Sequence, residues 1–201
     1  MITLDALRES LAGPAVDPAY AAKQLHSVPD APVVKREGFI LDLVRNKRVL
    51  EFGASGPMHD AIVKVAATGL GVDRQEADGV VGFDLDDVTQ TTLPAFPDGT
   101  QPDLIVCGEV LEHLSNPGWF LARLRRQFPG VPVVITTPNA HSLSGLAQVK
   151  RGVENCNRDH VAWYSYVTLR TLVTRAGYTL RELAWYNGEP RLAEGLIALV
   201  E

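Results

Sequence analysis

One stretch restricts the fold of this chain more than any other: Arg48 to Pro57, R-V-L-E-F-G-A-S-G-P. A short apolar run (Val49, Leu50) ends in a carboxylate, Glu51, and then in small residues, Gly53, Ala54, Ser55 and Gly56, before helical spacing begins at Met58. That order reads as strand, tight turn, helix. Small residues let the backbone approach a ligand closely, and the N–H groups of the helix's first turn face it. The unit has the form of a nucleotide-type cofactor site. An acid that accepts both ribose hydroxyls belongs about twenty residues further on, at the end of the next strand. Asp73, in G-L-G-V-D, stands there. Asp84 is the rival ribose acid if the second strand is displaced.

The remaining elements alternate. Ile40, Leu43 and Val44 repeat at helical spacing before the first strand. After the turn, Met58, Ala61, Ile62, Val65 and Ala66 define an amphipathic helix, Gly71 to Asp73 the second strand, and Val80 to Phe83 the third, with room for no more than a vestigial helix between them. Leu104 to Cys107 is a continuous apolar strand, as a parallel sheet covered on both faces requires. Asn116-Pro117 opens a helix buried through Phe120, Leu121, Leu124 and Phe128, with Arg123, Arg125 and Arg126 on a solvated face. Val131 to Thr137 is the fifth strand, Ser165 caps a helix that Gly177 stops, and Tyr178–Tyr186 with Gly195–Val200 close the chain as a strand pair. The pattern predicts an open α/β sheet, mostly parallel, with an antiparallel terminal strand and helices on both faces. Upstream, Thr3 caps a helix through Leu4, Leu7 and Leu11, 17–25 forms a second short helix, and His26 to Val34 reads as loop.

At 201 residues with 46% hydrophobic content, the chain is long enough for one well-buried core and short for two. A formal charge of −5 lacks the broad positive field of backbone-driven nucleic-acid binding, which favours other acceptors. Cys107, in an apolar strand, and Cys156, in a loop, make neither a disulfide framework nor a metal-spaced cluster. No basic start with an apolar core opens the chain, and no apolar run approaches membrane-spanning length. The expectation is a cytoplasmic protein without a membrane partner.

From Arg48 to Glu201 these residues resemble a class I S-adenosylmethionine-dependent methyltransferase, which implies a single Rossmann-like sheet. V-L-E-F-G-A-S-G is similar to the family's first motif. The resemblance implies that Glu51 supports the turn and the methionine part of the cofactor, that Gly53, Ala54, Ser55 and Gly56 wrap it, that Asp73 takes the ribose hydroxyls, and that Asp84 and Leu85 border the adenine. Asp103 to Pro117, D-L-I-V-C-G-E-V-L-E-H-L-S-N-P, closely resembles the E-V-L-E-H motif of ubiquinone-type O-methyltransferases and their relatives, and T-T-P-N (Thr136–Asn139) and D-H-V-A-W-Y-S (Asp159–Ser165) sit where those relatives have similar runs. It implies S-adenosylmethionine as cofactor, with Glu109 among its contacts, and O-methylation of a small-molecule or glycan-type acceptor. Ser55 and Pro57 stand where the family pattern repeats glycine, and they restrict the loop.

Glu109, Glu112 and His113 form E-x-x-E-H; on a helix opening after the fourth strand they share one face, and His160, after the fifth strand, can return to the same end of the sheet. This set resembles the divalent-metal site of the small-RNA 2′-O-methyltransferases, which implies a metal that positions the acceptor hydroxyl. Magnesium, manganese, iron or zinc suits such ligands. In the plainer alternative both glutamates cap the helix and contact the cofactor, and His113 is then the candidate base. The acidic charge argues against RNA as acceptor. Residues 1–46 form a helical preamble placed as a substrate lid, and 47–201 the cofactor-binding domain. The lid extends to the loop 139–160, where Lys150, Arg151 and Arg158 attract an anionic acceptor or lie solvated. His26, His59 and His141 read as surface or local hydrogen-bonding histidines, with His59 at the cofactor turn, and Trp163 and Tyr164 as packing. Two rival functions stay open: a non-catalytic cofactor-binding module, suggested by Ser55 and Pro57, and a nucleotide-dependent oxidoreductase, disfavoured because G-x-G-x-x-G is absent.

Overall fold

A computed structural model of the chain describes Ala19 and residues 23–201. Its eight strands are β1 (Val33–Val34), β2 (Arg48–Phe52), β3 (Thr68–Asp73), β4 (Val80–Gly82), β5 (Leu104–Gly108), β6 (Val133–Pro138), β7 (Leu180–Tyr186) and β8 (Gly195–Val200). They form one sheet in the order β1-β7-β8-β6-β5-β2-β3-β4. Every neighbouring pair is parallel except those made by β8, which runs antiparallel to both β6 and β7. The expected α/β sheet with its antiparallel terminal strand is therefore present. The strand order reverses at β2, between β3 and β5, and that switch point opens a crevice at the carboxyl ends of the strands.

Helices α1 (Arg36–Val44), α2 (Gly56–Val65), α3 (Pro117–Gln127), α4 (Leu143–Val149) and α5 (Tyr166–Arg175) accompany the sheet. Alternate residues of the central strands serve two cores, as a doubly covered sheet requires. Val49, Leu104, Val106 and Val134 pack with Ile40 and Val44 of α1 and Ile62 of α2. Leu50, Phe52, Ile105 and Cys107 face Phe120, Leu121 and Leu124 of α3 and Leu169 and Val173 of α5. Asn116 caps α3 by accepting from the Trp119 N–H, and Ser165 caps α5 in a reciprocal capping box with Thr168.

Several expectations need correction. Val33–Val34, read as loop, is an edge strand paired to β7. The stretch 139–160 contains α4, capped by Ser142. Glu109 to His113 is not helical: Glu109 has φ +56°, and a single 3-10 turn spans Leu111–His113. The α-helix starts only at Pro117, because the residue before a proline is pushed out of helical conformation. Arg123 is not solvated but 1% exposed. The two upstream helices lie outside the described residues, apart from Ala19, Lys23 and Gln24, which are helical. No described helix is long and apolar enough to cross a membrane.

Candidate functional site

The crevice at the switch point holds a cavity of about 570 Å³. Its walls come from the ends of successive strands. Glu51 lies near the end of β2, with Gly53 and Ser55 after it; Asp73 ends β3, with Arg74 and Gln75 after it; Phe83, Asp84 and Leu85 follow β4; and Gly108 ends β5, with Glu109, Val110, His113 and Leu114 beyond it. Of the residues expected to contact a cofactor, Glu51, Gly53, Ser55, Asp73, Asp84, Leu85 and Glu109 line it, whereas Ala54 and Gly56 do not. Ala54 is buried beneath the turn, and Gly56 opens α2 at φ +63°.

The turn after β2 is held from below. The Gly53 and Ala54 N–H groups both donate to the Val72 carbonyl of β3, at 2.9 and 3.1 Å. Gly53 has φ +78°, and a Cβ there would fall 2.6 Å from Val110 Cγ2, so no larger residue fits. Ser55 is extended (φ −145°), and Pro57 sits in the first turn of α2, where a proline N–H is not needed. The two departures from the glycine pattern thus occupy conformations natural to them.

Glu51 is 4% exposed, and its Oε2 lies 2.7 Å from His59 Nδ1. Burial raises the Glu51 carboxyl above the usual range, while His59 pulls it back. Of the two roles open to His59, it takes the local hydrogen-bonding one, at the turn. Asp73 Oδ1 accepts from the Gln75 N–H and Asp84 Oδ1 from the Asp86 N–H, so each aspartate shapes its own turn while its side chain reaches the cavity.

Arg36 escaped the sequence reading. It opens α1 far upstream, yet its guanidinium lines the cavity and donates through Nε to Thr136 Oγ1 at 3.1 Å. Thr136 in turn donates to Glu109 Oε1 at 2.8 Å, and the Tyr186 hydroxyl donates to the same oxygen at 2.8 Å. A basic residue opening a helix just before the first strand was the available signal.

Beyond Glu109 the 3-10 turn assembles a second group. Ligand-capable atoms of Glu112, His113 and His160 all lie within 4.8 Å of one another. The His113 and His160 rings meet edge to face at 4.6 Å. The strand of chain carrying His160 is fixed by the Val161 and Ala162 N–H groups, which both donate to the Glu112 carbonyl. Glu112 is 1% exposed; its Oε2 accepts from Thr137 Oγ1 at 3.1 Å, while Oε1, like His160 Nδ1, is buried without a hydrogen-bond partner among the described residues. Burial, aided by the charge of Glu109, pushes the Glu112 carboxyl up to about 7. Burial and the nearby His113 lower His160. Glu109, the fourth residue expected here, is not in the group; its Oε1 is engaged by Thr136 and Tyr186.

Tyr164 is buried, as expected of packing, but Trp163 is 39% exposed and meets the His160 ring edge to face at 6.0 Å. Of the three loop cations, Arg151 lines a second cavity, about 560 Å³, between α4 and the β7–β8 connection. Lys150 and Arg158 are solvated.

A family model described as a methyltransferase domain matches residues 20–183. No curated protein matches in sequence. Among solved structures, the small RNA methyltransferase HEN1 is similar at TM-score 0.64 and 16% identity over 88% of this chain, which spans only 27% of that one. A SAM-dependent methyltransferase from Archaeoglobus fulgidus is similar at TM-score 0.60 and 15% identity, over 81% of this chain and 89% of its own. The 1,6-didemethyltoxoflavin-N1-methyltransferase of Burkholderia thailandensis, solved with bound 1,6-didemethyltoxoflavin and S-adenosylhomocysteine, is similar at TM-score 0.57 and 16% identity, over 82% of this chain and 75% of its own. These likenesses concern the fold, and the family match spans most of the sequence. The chain belongs to the methyltransferase domain family, and its fold is the one found in S-adenosylmethionine-dependent methyltransferases.

Proposed function

We propose that the chain transfers a methyl group from S-adenosylmethionine to a hydroxyl oxygen of a small-molecule or glycan-type acceptor, with the acceptor held beside Glu112, His113 and His160. The residues present fit the cofactor: a cavity of about 570 Å³ at the switch point, a cradle at Gly53 that a Cβ would fill, and a carboxylate at the end of β3. S-adenosylmethionine, when bound, supplies a methyl group already activated on a sulfonium. Asp73 accepts the ribose hydroxyls, Asp84 and Leu85 border the adenine, and Gly53 to Gly56 bring the backbone close, with Glu51 buried below them. The Arg36 guanidinium suits the cofactor's carboxylate. What remains for the protein is to align the acceptor and manage its proton.

The observation that carries the oxygen assignment is the convergence of one carboxylate and two imidazoles within 4.8 Å, with Glu112 Oε1 and His160 Nδ1 buried and, among the described residues, without a hydrogen-bond partner. That donor set fits a divalent cation, which would lower the pKa of a coordinated hydroxyl. Without a cation, His113, which lines the cavity, is the base that takes the hydroxyl proton. Of residues 1–46, the part before β1 serves as lid, since β1 and α1 belong to the sheet and its core, and deleting Met1 to Gly13 should impair acceptor turnover more than cofactor binding. The similar folds carry different acceptors, a small RNA in one and 1,6-didemethyltoxoflavin in another, so the fold does not choose among them. The net charge of −5 favours the small molecule or glycan. Calorimetry with S-adenosylmethionine tests the first half of this reading, and tight binding would remove the oxidoreductase alternative and much of the support that Ser55 and Pro57 lend to the non-catalytic one. Labelled-methyl transfer across an acceptor panel, before and after chelation and readdition of divalent ions, tests the second. Full turnover in excess chelator would eliminate the cation and leave His113 as base.

A further inference from the structure

Arg123 is a physical anomaly. Its side chain is 1% exposed in the core between α3 and the sheet, and no carboxylate pairs with it among the described residues. A buried guanidinium is costly unless its donors are satisfied, and an apolar residue of similar volume would cost nothing. Two of its three nitrogens donate to main-chain carbonyls of one segment, Nη2 to Leu85 O and Nη1 to Gln90 O at 2.7 Å, while the buried Nε has no partner among the described residues. That segment begins the connection from β4 to β5, residues 83–103, which contains neither helix nor strand. Connections this long without structure of their own are uncommon in compact domains. Here α3 holds it down along one side. Arg126 Nη2 donates to Thr91 O, and the Gln127 amide both donates to and accepts from the Leu93 backbone. Leu85, at the near end, lines the cavity together with Asp84, and Asp86 accepts from the Ser115 N–H, next to the lining residue Leu114.

We infer that Arg123 is a positioning residue for cofactor binding: from the core it fixes the 84–90 turn, and so sets where Asp84 and Leu85 stand in the cavity wall. The inference rests on the reading of these two residues as the adenine border. Arg123→Met keeps the volume and apolar stem but removes both donors. By calorimetry it should weaken S-adenosylhomocysteine about tenfold, and adenosine by the same factor, since the lost positioning lies at the adenine end. Hydrogen–deuterium exchange should quicken in 84–91 while the amides of β2 and β5 keep their protection, a local change that general core damage would not give. Equal affinity for S-adenosylhomocysteine in the variant and the unaltered chain would overturn the inference. So would a loss confined to S-adenosylhomocysteine with adenosine unaffected. Should Arg123→Met not fold, Arg123→Lys, which keeps the charge and a single donor group, decides: weakening of several-fold supports the role, and unchanged affinity removes it. No binding of S-adenosylhomocysteine by the unaltered chain would instead overturn the cofactor reading beneath it, and this inference with it.

Discussion

The two sides of the cavity are built by different means. On the side proposed for the cofactor, the walls are consecutive strand ends, β2, β3 and β4, and the groups that meet there, Arg36 apart, lie within residues 51–85. On the side proposed for the acceptor, Glu112 and His113, of which only His113 lines the cavity, meet His160 across nearly fifty positions, through a 3-10 turn whose carbonyl receives two N–H groups from the 161–162 backbone. The first side is a product of topology, since any doubly wound sheet of this order opens a crevice at the same place. The second is a product of individual tertiary contacts. A fold can therefore keep the first while changing the second, which is how relatives of one shape come to act on different acceptors.

If the two sides are as separable as they look, each can be broken without the other. The largest effect is expected on the acceptor side: excess chelator, or His160→Ala, should lower methyl transfer about a hundredfold while S-adenosylhomocysteine affinity, measured by calorimetry, stays within about twofold. A parallel loss of affinity would mean that the two sides are one unit. Next, Asp73→Ala removes charge-assisted hydrogen bonds worth roughly 1.5 to 3 kcal/mol each, and should weaken cofactor binding at least about tenfold. Unchanged affinity in that variant, with loss in Asp84→Ala, would move the ribose to the other aspartate.

A third measurement reads the acceptor side through stability. Glu112 in the folded chain holds its proton up to about pH 7, against 4.5 ordinarily, so the stability of the protonated form is present below that lower value and is lost as pH rises through about 7. Replacing the carboxyl by an amide removes this loss. Glu112→Gln should therefore raise the Tm at pH 8 by more than at pH 5, by about 1 kcal/mol or roughly 2–4 °C for a chain of this size. Thermal melts at the two pH values decide it, and an equal shift at both would show that Glu112 is ionised throughout. The smallest effect is reserved for the turn: because Ser55 is already extended, Ser55→Gly should alter S-adenosylhomocysteine affinity by less than about twofold.

What could be read in the sequence follows the same division. The strand ends, the Gly53 turn, Asp73 and the caps at Asn116 and Ser165 depend on residues near one another in the chain, and periodicity or turn chemistry exposes them. The Glu51–His59 contact spans a turn and a helix start, where no repeat predicts distance. Arg123 was legible and was misread: it lies three residues after Phe120 and one before Leu124, on the buried stripe, but its charge outweighed its position. The E-x-x-E-H run misled in the opposite way. Its spacing suits a helix, yet Asn116-Pro117 had already marked where the helix begins.

Tyr186 reaches Glu109, at the junction of the two sides, only because of what its cross-strand neighbour lacks. It stands opposite Gly195 in the β7–β8 ladder, and a Cβ on that glycine would fall 2.0 Å from the tyrosine ring. The ring lies flat over bare backbone, and its hydroxyl is delivered across the sheet. Part of the site is therefore encoded by a hydrogen atom, on a strand that contributes no chemical group to the cavity. In a saturation scan, Gly195 would score as intolerant in the manner of any core position. Only specific activity per folded molecule would separate its two debts, one to packing and one to the carboxylate that Tyr186 holds.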